Sequence, residues 1–277
     1  MRRRVRIRSA TLAAGLAAVT CLSVMPSTLA ADQAALIRDF MRVSGLGAQA
    51  DRVTQQMQAQ LEARRDEVDA KALDRVQGAM TRAFSPNQVR SRMAGSLKHA
   101  DATQLRRAIE WLQQPLSSRM TELELAASDP AAEPALREYM GRLEQTPPSP
   151  ARVDLIKRLS AAMGASDTAM KVIAAMVDGL AKSLDAARGG ESSAQQEAEA
   201  AMARMEDQRD LIEQGILLKL FFTYREASDN ELEAYTSFWE SELGHWLNEA
   251  LVEACIATLR GGAEDMAQQL APRAKAE

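Results

Sequence analysis

The chain has 277 residues, with 34 Lys+Arg against 38 Asp+Glu, and aromatic residues make up only 4% of it. A formal net charge of −4 leaves no basic excess for a polyphosphate backbone, which argues against a dedicated nucleic-acid binder. A structural zinc cage commonly needs four Cys or His ligands, and beyond residue 30 only His99, His245 and Cys255 remain.

Arg2, Arg3, Arg4, Arg6 and Arg8 open the chain, and an apolar stretch from Ala10 to Met25 follows. Pro26-Ser27-Thr28-Leu29-Ala30 closes it. A positive start, a short apolar centre and small residues at the end read as a secretory signal. Cleavage is expected after Ala30, with Thr28 and Ala30 where the peptidase needs small side chains. The apolar run falls short of the ~20 residues that span a bilayer, so no stable membrane span is expected once the signal is gone. Thr20 precedes Cys21, where a lipid-anchor signal wants Gly, Ala or Ser. The expected location is the periplasm. Removing residues 1–30 takes five arginines and no acid, so Lys+Arg falls from 34 to 29 against 38 acids, for −9. Cys255 then stands alone in Leu251-Val252-Glu253-Ala254-Cys255-Ile256, where a thiol reads as a small buried hydrophobe.

Beyond residue 30, helix formers dominate and no segment alternates as a half-buried strand would, which predicts an all-α fold. Ser85-Pro86-Asn87-Gln88 offers an N-cap serine, proline at the first helical position and a reciprocal glutamine. Asp101-Ala102-Thr103-Gln104 and Ser228-Asp229-Asn230-Glu231 repeat the signal. Thr146-Pro147-Pro148-Ser149-Pro150 cannot continue a helix and favours extended backbone, so it reads as a linker. The stretch from Ser192 to Arg209 reads as a solvated helix face. Gly215 to Phe222, too short to span a membrane and carrying Lys219, reads as a buried helix. Gly261-Gly262 is expected to end the last long helix. The predicted organisation is a signal at 1–30, a first helical repeat at 31–130 and a linker with a short helix at 131–150. A second repeat at 151–260 and a polar C-terminal tail at 261–277 complete it.

The repeats rest on internal self-similarity. Leu36, Ile37, Gly45, Val53, Met57 and Leu61 recur 119 positions later as Leu155, Ile156, Gly164, Val172, Met176 and Leu180, and Phe40 pairs with Leu159. Leu105, Trp111, Leu116, Met120 and Glu122 recur at an offset of 127 as Leu232, Phe238, Leu243, Leu247 and Glu249. The extra eight residues fit around Gly189-Gly190-Glu191-Ser192-Ser193. The fold expected is two tandem helical-bundle repeats joined by the Pro-rich linker. Trp111-Leu112-Gln113-Gln114-Pro115-Leu116-Ser117 and Phe238-Trp239-Glu240-Ser241-Glu242-Leu243-Gly244 carry the family signal. Over roughly 32–128 and 151–257, each half resembles a bacterial exported family filed as domain of unknown function 2059. That family has an aromatic pair, a Ser-Pro pair, a spacer and a glycine within a helical hairpin. The first copy keeps the proline, and the second keeps the serine and glycine. The resemblance implies a helical fold and export, and it implies no activity.

Glu242 and His245 have the Glu-x-x-His spacing of helical di-iron bundles, but Ser96 stands three before His99, so the second pair is missing. Neither a metal nor another cofactor is expected. No phosphate loop, nucleophile elbow or His-Glu-x-x-His helix is present. Two features stand out. Residues 75–119 hold eight basic groups against Asp101 and Glu110, whereas residues 151–277 carry 13 basic and 22 acidic groups. Seven of the eleven aromatic residues lie between Phe221 and Trp246. Trp239, Leu243, Trp246 and Ala250 share one helical stripe, with Glu242, His245 and Glu249 along its edge. Such a stripe suits either a core helix or the anchor of a partner-binding surface, for which Trp239, Glu242, His245 and Trp246 are the candidates. The expected function is a non-enzymatic periplasmic binding or accessory protein, of the inhibitor or immunity type, acting on a periplasmic protein partner. The alternative is a cell-wall-directed hydrolase using paired carboxylates.

Overall fold

The structure is a computed structural model that describes residues 25–50, 52, 70–187 and 193–271. Residues 1–24 of the expected signal, the repeat positions Val53, Met57 and Leu61, and the glycine-rich stretch 189–192 lie outside the described residues. Among the described residues all regular structure is helical. Helix α1 (Met25–Val43) stops at Gly45, whose φ of +77° is the left-handed turn that glycine adopts without strain, and a new helical segment starts at Leu46. Helices α2 (Ala70–Ala83), α3 (Pro86–Ser96), α4 (Ala102–Leu112), α5 (Pro115–Ala127) and α6 (Glu133–Gln145) follow. After the prolines, α7 (Pro150–Ala162) stops at Gly164, with φ +54°, and α8 (Ala165–Ala187) continues. Helices α9 (Ser193–Asp207), α10 (Arg209–Thr223), α11 (Asp229–Trp239) and α12 (Glu242–Leu270) complete the chain.

Side chains from both ends of the chain build one core. Phe40, Val89, Leu105 and Met120 are fully buried in the same cluster as Ile156, Leu159, Leu232 and Leu247. Ile37 and Phe40 on α1 and Ile156 and Leu159 on α7 are all buried. Between the two chain ends Trp111 stacks on Phe238, with centroids 3.5 Å apart and planes 17° apart. Part of the basic 75–119 segment meets the acidic C-terminal half. Arg92 pairs with Asp265, Arg119 pairs with Glu231 at 3.0 Å, and Arg82 donates to Gln269 at 2.6 Å.

The caps show how local chemistry starts these helices. Asp101 accepts from the Thr103 and Gln104 amides, and Ser228 and Glu231 close a reciprocal capping box. Ser85 stands at an N-cap with Pro86 behind it, yet its side chain makes no capping hydrogen bond, so that predicted box does not form. Proline at the first position leaves one fewer amide to satisfy there.

Gly261-Gly262 does not end the last helix, which runs on to Leu270 with Met266 and Leu270 buried. The predicted polar tail therefore starts as packed helix. Tertiary contact explains the glycines. A Cβ on Gly262 would overlap the Phe84 ring, and one on Gly261 would meet the Arg92 side chain at 2.8 Å. Gly244, in the α11–α12 hairpin, is held the same way. A Cβ there would overlap the Phe238 carbonyl oxygen and lie 2.7 Å from the Trp239 Cα. Backbone cannot yield as a flexible side chain does. Gly244→Ala is therefore expected to destabilise the fold by about 3 kcal/mol, at the upper end of overpacking costs, measured by urea denaturation.

Candidate functional site

The aromatic stripe on α11 and α12 faces inward. Trp239 is 4% exposed and meets Tyr235 and Phe238 edge-to-face at 5.9 and 5.4 Å. Leu243 is buried, and Trp246 and Ala250 are half-buried against the same core. Glu242, His245 and Glu249 are exposed along the edge. Trp239 thus contributes packing, while Trp246, His245 and Glu242 form the part of the stripe that solvent reaches. Trp239→Ala should cost about 3–5 kcal/mol, whereas Trp246→Ala should cost clearly less. Equal losses in denaturant midpoint would contradict this placement.

Behind Trp239 lies a polar cluster that no sequence motif announced. Tyr224 and Tyr235, 1% and 2% exposed, both donate to the same Glu124 oxygen, at 2.6 and 2.7 Å. Glu124 as a whole residue is half-buried, and one oxygen of its carboxyl accepts from both phenols. Burial pushes the Glu124 pKa up, and the two tyrosine hydrogen bonds only partly oppose it. Burial and the neighbouring Glu124 charge push both phenols well above the ordinary tyrosine value. A carboxyl whose folded pKa is raised stabilises the fold fully below its unfolded value, about 4.3, and loses that contribution as pH rises through the folded value. Glu124→Gln keeps an acceptor for both phenols and removes the titration. It should raise the melting temperature at pH 8, and the gap should close near pH 4.

A concave feature of the surface lies elsewhere, where the proline linker passes the α10–α11 turn. A cleft of about 790 Å³ opens there. The end of α6 and residues 146–149 form one wall, and Phe221, Arg225, Ala227 and the start of α11 form the other. Arg142, Arg152 and Arg225 line it, with Asp229 as the acid of the lining. Arg152 is tied down: it donates to the carbonyls of Tyr224 and Ala227 at 2.6 and 2.8 Å and to Asp229 at 2.6 Å. Arg225 lies over the Phe222 ring at 4.2 Å, and Tyr139 meets that ring edge-on at 5.7 Å. Burial raises the Tyr139 pKa, while Arg152, Arg225 and Arg142 pull it down, in that order, so all three guanidiniums act on one phenol. The sequence signal for this site was the linker alone. Its arginines come from three separated segments.

Among the described residues no group of three or more His, Cys, Asp or Glu is placed to hold a metal ion, and no helix is long and apolar enough to cross a membrane. Cys255 is half-buried, and burial pushes its thiol pKa up, which lowers its thiolate population. No family model, curated protein or solved structure matches this chain.

Proposed function

We propose that the chain is an exported, non-enzymatic binding or accessory protein of the periplasm, built from two divergent tandem helical copies. The observation that carries the binding reading is the cleft. Its volume is that of a small-molecule site, and its lining is arginine and aromatic rather than a pair of converging acids. The hydrolase reading asks for two carboxylates across a cleft. Here the lining acid Asp229 is engaged by Arg152, and Glu124 accepts from two phenols. Glu242, His245 and the outer edge of Trp246 remain the residues through which a protein partner would touch the C-terminal helix.

The tandem reading has three supports. Gly45 and Gly164, equated by the offset of 119, are the glycines with positive φ among the described residues. Ala102–Leu112 and Asp229–Trp239 differ by 127 at both ends, as do the starts of the helices at Pro115 and Glu242. Trp111 and Phe238, equated by the same offset, stack on each other, as equivalent residues beside a local two-fold axis would.

Two measurements test the proposal. Residues 1–30 fused to alkaline phosphatase should give an active periplasmic enzyme, and the mature chain should begin at Ala31. Incubated with peptidoglycan sacculi, the purified protein should release no soluble fragments. Release that depends on Asp229 or Glu124 would establish the hydrolase instead.

A further inference from the structure

We infer that the linker cleft binds the anionic group of an amphiphilic ligand, a carboxylate or phosphate on an apolar body, between Arg142 and Arg225 beside the Tyr139 hydroxyl. This deepens the binding-protein reading and rests on it. Charge is the first argument. The C-terminal half carries 13 basic and 22 acidic groups, yet among the described side chains this cleft is lined by three guanidiniums and one acid, Asp229. That acid is already consumed by Arg152, whose remaining bonds go to backbone carbonyls. Arg152 therefore shapes the wall, and Arg142 and Arg225 are the cations that an incoming group meets.

Arg142 holds an exposed local partner, and Arg225, besides a local ion pair, donates to the Phe222 carbonyl at 2.8 Å. Arg142 faces Glu138 one turn earlier at 3.4 Å, and Arg225 faces its neighbour Glu226 at 3.1 Å. The two glutamates are 70% and 62% exposed, and such surface pairs contribute little. A ligand anion can exchange with them at small cost. Guanidinium matches carboxylate and phosphate with paired donors, and Arg225 is already oriented by stacking on Phe222. The N-termini of α7 and α11, capped by Ser149 and Ser228, both open on the cleft and add partial positive charge. For the apolar body the lining offers Leu143 and Pro147 on one wall and Phe221 on the other.

Calorimetric titration of the full mature chain tests this with octanoate, octyl phosphate and the neutral octyl glucoside at submicellar concentration. At least one anionic probe should bind where the neutral one does not, and the stronger of the two tells carboxylate from phosphate. Binding should weaken steadily as NaCl is raised, since surface charge is screened over about 8 Å at physiological ionic strength. The Arg142→Ala/Arg225→Ala double variant should lose about tenfold or more in affinity, as expected for two charge-assisted contacts. Its melting temperature should fall modestly, because Arg225 also stacks on Phe222 and donates to its carbonyl. The Arg142→Ala single variant, whose side chain is 64% exposed, should melt as the unmodified protein does and still bind more weakly. Anionic probes that bind no better than octyl glucoside overturn the inference, as does a flat salt series on the unmodified protein. Either result leaves the binding-protein reading standing. Release of fragments from sacculi would overturn that reading whatever the probes do.

Discussion

The architecture depends on how closely α12 can approach its neighbours. At the crossing with α8 the Gly179 position lies against the Ala263 side chain, and a Cβ on Gly179 would sit 2.5 Å from it. Ser183 seals the crossing, its hydroxyl set between the carbonyl oxygens of Gly179, 2.9 Å, and Ala263, 3.2 Å away. One turn of small residues lets two helix backbones come together, and neither helix gives up its own backbone hydrogen bonds. On its other side α12 takes the Phe84 ring against Gly262 and the Arg92 stem against Gly261. A 29-residue helix is about 43 Å long, so one rigid rod runs from the α11 hairpin to the N-terminal helices.

Much of the fold was legible because helices announce themselves locally. The capping box at Ser228, the Asp101 cap and the proline break act within a few residues of themselves. The all-helical class follows from the same local chemistry. Gly261-Gly262 misled because two glycines near a chain end carry the same letters whether they close a helix or admit an aromatic ring. Only Phe84, nearly 180 positions away, distinguishes the cases. The Trp239 stripe was legible as a stripe, and its inward direction was not, since a core helix and a docking helix share one periodicity.

The polar features were illegible for a related reason. Glu124 meets its two phenols across 100 and 111 positions, and nothing near Glu124 marks it from other helical glutamates. The cleft arginines lie on a helix end, a helix start and a turn. Charge counting alone pointed away from them, because the half that holds Arg152 and Arg225 is strongly acidic. Net charge averages over a surface, whereas recognition depends on the sign at one concave place.

That place is also built stiffly. Prolines at 147 and 148 fix one wall of the cleft in an extended backbone with little conformational freedom to lose. Across from it, Arg152 ties the α7 start to the carbonyls of Tyr224 and Ala227, and the same turn is fixed by the Ser228 capping box. Phe222, 2% exposed, holds both Tyr139 and Arg225 by their rings and planes. Binding sites lose affinity to the ordering of their own side chains and loops. Here the linker, the turn and the aromatic platform are ordered by contacts that exist without a ligand. Arg142 alone, with its side chain 64% exposed, has substantial freedom left to lose. The contacts that order the α10–α11 turn thus also set the shape of the cleft, and the linker wall is held by the rigidity of its own prolines.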